Sequence, residues 1–274
     1  MMDTWRQQSG FARYGRLFLL ATFVLTFGSY FVARRFLVRR SNDESRELAS
    51  SVIFRVAALH GLIIALVFAE ELGNSHELVH TVNREANQLE SIYYDLGRHG
   101  TSKVGEIRQA LAFYTYDVIE HEWDRLNDSG QLSDDAWTYR EIVVRELLQI
   151  EADTPAQEFL RQRMLNQITA VEDERNNLEI IAATDVSILF WIIAFAGIAL
   201  VAAPYFPFSP TTANLTILGL YALYTGVVLF FIYAFDNPFA GFSGTPPVSL
   251  EILYDGTFRS LVEASVNSPY GGAP

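Results

Sequence analysis

The segment from Val56 to Leu96 contains no proline and changes solvent partway along. Val56 to Ala69 is free of charge. Glu70 and Glu71 follow, and beyond them Leu78, Val82, Leu89, Tyr93 and Leu96 recur at spacings of three, four or seven. That is the period of one helical stripe, so the pattern predicts a single long helix that leaves a bilayer and continues into water.

The charge-free part of this second span is shorter than the roughly 20 residues a helix needs to cross a bilayer. Starting it at Ala49 completes the span but takes in Arg55, which must then snorkel to the interface or face protein or water. Ahead of it, Leu17 to Ala33 is a first span. The run is long and ends in Arg34 and Arg35 instead of a small-residue cleavage site, so it reads as a retained membrane helix and not a signal peptide. Val186 to Ala203 is the third, stopped by the prolines of PYFPFSP, and Leu215 to Phe235 is the fourth.

Half of the residues are hydrophobic while 19% are charged, which suits a membrane protein with a sizeable water-exposed part. A net charge of -12 argues against nucleic acid, which is gripped by clustered Lys and Arg, and against a polybasic lipid-binding tail. With no cysteine, disulfide and thiolate chemistry are excluded.

Residues 70–185 are charged but periodic. Val104, Ile107, Leu111, Tyr114, Val118 and Leu126 form one stripe, and Ala136, Tyr139, Val143 and Leu147 another, with Ser133 as its N-cap. Thr154-Pro155-Ala156-Gln157 is a helix start: cap, proline at the first position, Gln three residues on. The helix it opens is expected to turn Phe159, Ile168, Val171, Leu178 and Ile181 inward and to run straight into the third span. Stripes of this width describe packed helices, so the expected fold is an all-α integral membrane protein. Its segments are a polar start (1–16), spans one and two (17–69), a helical aqueous domain (70–185), spans three and four (186–235) and a C-terminal turn, short helix and tail (236–274). Four spans put both termini on the side of the acidic domain. Arg34, Arg35, Arg39, Arg40 and Arg46 on one side nearly balance Arg6, Arg13, Arg16, Arg84, Arg175 and Arg259 on the other, so charge does not assign the sides.

Several local patterns now line up. Arg84-Glu85-Ala86 precedes Leu89 and Tyr93. Tyr114, Val118 and Glu122-Trp123 follow, then Arg175 ahead of Trp191, then Asp236-Asn237-Pro238-Phe239-Ala240-Gly241 after the fourth span. In this order the chain resembles the bestrophin-like family of bacterial membrane proteins over roughly 50–262. The resemblance implies a bestrophin-like fold: a homo-oligomer in the inner membrane, its aqueous domain cytoplasmic, with the second span lining an anion-conducting pore. The chain lacks the acidic run of the bestrophin calcium clasp, keeping only Asp236, Glu251 and Asp255 there.

On this reading Arg55, Leu59, His60, Ile63, Val67 and Glu70 line the pore and small anions pass, Ile63 and Val67 forming a constriction that gates by dewetting. His60, a titratable side chain in an apolar span, has a second reading: one interhelical hydrogen bond to a residue such as Tyr221 or Tyr224. Glu70 and Glu71 are either an acidic ring or the place where lipid ends. His76-Glu77-Leu78-Val79-His80 matches H-E-x-x-H, which on a helix sets two imidazoles on one face to hold zinc beside a glutamate base. A third ligand would have to be Glu106, His99 or His121. The expectation is therefore a channel with no cofactor and no catalytic residue. A zinc hydrolase using His76, Glu77 and His80 and a non-catalytic scaffold or sensor are the alternatives.

Overall fold

The computed structural model describes residues 2–40, 43–239 and 244–266. All regular structure among them is helical: α1 (Met2–Leu37), α2 (Asp43–His99), α3 (Val104–Asp117), α4 (Trp123–Ser129), α5 (Asp134–Leu148), α6 (Pro155–Ala183), α7 (Ile188–Ala202), α8 (Thr212–Phe235), α9 (Val248–Leu253) and α10 (Arg259–Val266). α2 passes through Glu70 and Glu71 without a break, as its lack of proline and glycine pairs allows. It ends at Gly100, whose φ of 74° is a left-handed conformation that favours glycine.

Two compact units divide the chain, and α2 contributes to both. The first comprises residues up to Gly73 with Asp185–Asn237. Its four helices are each long and apolar enough to cross a membrane. α1 packs on α8 and α7, around Ile64, Phe190, Ala194, Ile198, Leu229 and Ile232. Outside this small core the large apolar side chains face outward: Phe36 is 73% exposed, Phe54 77% and Ile188 74%. A water-soluble protein does not display such a surface, whereas one solvated by acyl chains does.

The second unit holds Asn74–Thr184 with residues 238–239 and 245–266, so α9 and α10 pack with the helical domain. Leu78, Leu89, Ile107, Leu111, Val143, Leu147 and Ile168 are fully or almost fully removed from solvent, and Phe258 joins them. Ser133 caps α5, its hydroxyl accepting from the Ala136 amide. Thr154 and Gln157 complete the reciprocal box at the start of α6. α3 continues into α4 through one π turn, Val118–Glu122.

Two expectations are corrected. α6 does not run into the third span: it ends at Ala183, Thr184 is extended, and Ser187 caps a new helix by accepting from the Leu189 amide. Thr184, whose hydroxyl donates to the Ile180 carbonyl, and Ser187 compete with the helix for backbone hydrogen bonds, and here they win. Nor is Phe159 inward. It is 64% exposed, and Met164 takes the buried position four residues before Ile168.

Candidate functional site

The face of α2 named from the sequence stays together, except for His60. Arg55, Leu59, Ile63 and Glu70 are exposed on the single chain and Val67 is half-buried, at helical spacings of three and four. Arg55 has no ion-pair partner among the described residues. Glu71 turns the other way and is buried.

His60 does not belong to that stripe. It is buried, its Nε2 2.9 Å from the Ala194 carbonyl and its Nδ1 3.1 Å from the Tyr221 hydroxyl. A carbonyl only accepts, so Nε2 carries the proton and Nδ1 accepts from Tyr221, which a neutral imidazole satisfies completely. Packing explains the choice of face: α7 offers Gly197 opposite the ring, where a Cβ would stand 2.6 Å from Nε2. Tyr224, the other partner considered, is 73% exposed.

The HELVH segment does not gather ligands. His76, Glu77 and His80 are exposed, and Glu77 is held 2.9 Å from Arg84. His121 pairs with Asp117 at 3.0 Å, Glu106 is exposed and His99 is buried. Among the described residues no three His, Asp or Glu groups come together to hold a metal, so the residues present do not fit a zinc centre. Of the acids after the fourth span, Asp255 pairs with Arg259 and Asp236 accepts from the Val186 amide at 2.7 Å.

Most residues that carry the resemblance lie inside the second unit, while Trp191 and Asp236 belong to the first. Arg175, fully buried, is bidentate to Glu122, Nη1 to Oε1 at 3.1 Å and Nη2 to Oε2 at 2.7 Å. Tyr114 donates to Glu85 and accepts from Arg175 at 3.2 Å, and the Arg175 guanidinium lies 4.8 Å from the Trp137 ring centre. Burial works to lower the Arg175 pKa, but Tyr114, Glu122 and Glu85 outweigh it and the group stays a cation. Burial pushes Glu85 up to about 7, against the pull of Arg175 and the Tyr114 hydrogen bond. Arg84 instead bridges Glu174, at 2.8 Å, and Glu77. Ala86 is buried beside them. Trp123 donates to the Thr245 carbonyl at 2.8 Å and packs edge-on against Phe239. Pro238 accepts from the Thr245 amide. Gly241 lies outside the described residues. These positions fasten helices to one another; they do not line an open site.

Sequence reasoning placed Arg175 among the juxtamembrane charges, yet it is fully buried. The signal was available: Met164, Ile168, Val171, Arg175 and Leu178 fall on one stripe of α6, as Leu78, Val82, Glu85 and Leu89 do on α2. A charge that interrupts an apolar stripe predicts a buried polar group, though neither stripe names Glu122, the partner that Arg175 meets.

Comparison with known proteins agrees with this architecture. The bestrophin-like domain family matches residues 20–250. In fold the chain is similar to the crystal structure of a point variant of a bacterial bestrophin homologue from Klebsiella pneumoniae, with a TM-score of 0.57 and 12% identity over 90% of this chain and 99% of that one. No curated protein matches. Its four spanning helices, its helical second unit and the match over most of its length together make this chain a member of the bestrophin-like family.

Proposed function

We propose that the chain assembles as a homo-oligomer in the cell membrane, with α2 of each copy around a shared axis, and conducts small anions passively. One observation carries this reading. The stripe Arg55, Leu59, Ile63, Val67 and Glu70 is open on the single subunit, apolar in its middle and charged at both ends. A charged side chain pointing into acyl chains costs several kcal/mol, about 2.5–3.5 at a span's centre. Turned to a water-filled axis the cation is solvated, and a ring of them attracts anions. Ile63 and Val67 form the apolar constriction. Membership of the bestrophin-like family supports the same reading, as does the resemblance to bestrophins, in which the second membrane helix lines an anion pore. Burial of His60 leaves Arg55 as the selectivity determinant.

The test is ion flux from liposomes together with the mass of the detergent-solubilised particle. An oligomer that passes chloride in preference to potassium, with the preference reduced in Arg55→Gln and the flux raised in Ile63→Ala, is expected. A monomer that passes neither ion overturns the proposal.

A further inference from the structure

The chain has five histidines, and the structure gives three of them a partner or a place in the interior. His60 has both ring nitrogens bonded, His99 is buried, and His121 is held by Asp117. His76 and His80 differ. Both are exposed, and among the described residues neither makes a hydrogen bond or an ion pair.

They stand four residues apart within α2, whose backbone is helical without a break from Asp43 to His99. Positions four apart lie one above the other on a helix, with Cβ atoms about 6 Å from each other. Two imidazoles at that separation can reach one ion at the roughly 2.0–2.1 Å of a metal–nitrogen bond. Rotation about side-chain bonds is all that is required, because no existing contact has to break.

The surroundings favour a cation. The nearest basic side chain along the helix is Arg84, whose guanidinium is taken up by Glu174 at 2.8 Å and Glu77 at 2.9 Å. One positive charge between two negative ones leaves this stretch acidic, in a chain whose net charge is -12. The same contact holds Glu77, so it is not the free base of a hydrolytic site. Two ligands are too few for a catalytic or structural zinc centre, which takes three or four from the protein. They suffice for an open site in which water fills the remaining positions. Imidazole selects Zn2+, Cu2+ and Ni2+ over the hard ions Mg2+ and Ca2+, which take oxygen.

We propose that His76 and His80 clasp one divalent transition-metal ion on each copy of the chain, at a binding site and not a catalytic one. The site lies on the turns of α2 just past Gly73, the last residue that the first unit takes from this helix. It needs a single copy, so it stands whether or not the chain assembles or conducts ions.

Zinc chloride is titrated into the full chain, in detergent and without an affinity tag, and the heat is followed by calorimetry. Expected is one Zn2+ per chain at micromolar Kd, with no saturable uptake of Mg2+. His76→Gln or His80→Gln should weaken Zn2+ binding at least about tenfold, since the imidazole that remains loses the high effective concentration of its neighbour. His121→Gln, which removes an exposed imidazole from its pair with Asp117, should leave binding unchanged. An unchanged far-ultraviolet circular dichroism spectrum checks that each variant is folded. Absence of Zn2+ binding by the unaltered protein overturns the proposal, as does binding that survives the double substitution of His76 and His80. Equal uptake of Mg2+ also overturns it and assigns the ion to surface carboxylates, and loss on His121→Gln moves the site to Asp117 and His121.

Discussion

Arg175 and Glu122 face each other with neither side chain reaching solvent, Nη2 2.7 Å from Oε2. Each ion has lost its hydration, and their attraction offsets that loss only because the geometry is bidentate and the neighbours complete it. Ser133 contributes its amide to Glu122 at 2.7 Å, and its hydroxyl to Asp117. One pair therefore ties α6, the π turn and the start of α5.

Arg175→Met leaves two buried carboxyl groups without their cation, so the unfolding free energy of the second unit should fall by about 3–5 kcal/mol. Adding Glu122→Gln to that variant should recover part of the loss, because the buried charge goes with it. Unfolding by denaturant in detergent, followed by far-ultraviolet circular dichroism, measures both. A loss below about 1 kcal/mol, the scale of an exposed pair, would mean that the pair is solvated.

Glu85 gives the second unit a pH dependence. Its carboxyl holds its proton up to about 7 in the folded chain, above the ordinary 4.5, because burial disfavours the anion. Between those values the folded state binds the proton and the unfolded state does not, so stability falls as pH rises through the window. The shift corresponds to a change on the order of 3 kcal/mol, present in full below pH 4.5 and lost above about 7. Glu85→Gln keeps an acceptor for Tyr114 without the charge and should flatten the profile. Melting temperatures of the two proteins from pH 5 to 8 provide the check, and parallel curves would place the titration elsewhere.

Trp123 reaches from the start of α4 to the Thr245 carbonyl, 2.8 Å away. Trp123→Phe keeps the aromatic contact with Phe239 but leaves that carbonyl unpaired, at a cost of about 1 kcal/mol. The effect should be local. Faster amide exchange in residues 248–266, with the core of α3 and α5 unchanged, is the expected hydrogen-exchange result.

The helices and their caps were legible because periodicity and capping chemistry are local. Thr154, Pro155 and Gln157 specify a helix start wherever the chain goes. The direction in which a helix faces within the bilayer is another matter, since a polar side chain such as His60 is turned from lipid equally by a water-filled pore and by a partner on a neighbouring helix. What turned His60 inward is Gly197, a residue more than a hundred positions away whose missing side chain makes the room. Arg175 was misplaced for a related reason: charge predicts the surface unless the partner is known, and Glu122 sits on a different helix. The end of α6 at Ala183 depended on a contest between short polar side chains that periodicity does not weigh.

The fit between His60 and Gly197 supplies the sharpest test of the membrane-embedded packing. Gly197→Ala would place a methyl 2.6 Å from the His60 Nε2, so the ring must leave, and both its hydrogen bonds, to Ala194 and Tyr221, go with it. Overpacking of this kind costs about 1–3 kcal/mol. The loss should appear as a lower aggregation temperature in detergent. His60→Ala alone opens a cavity and leaves Tyr221 unpaired, and it should also destabilise. Combined, the two substitutions should be less damaging than their sum, because the methyl of one occupies space vacated by the other. Strict additivity would show that the ring does not rest against α7. In liposomes His60→Ala should leave the anion preference of any flux unchanged, because its side chain is buried against Ala194 and Tyr221 while Arg55 and Ile63 are exposed. A change in preference would return His60 to the pore and rotate α2 about its own axis.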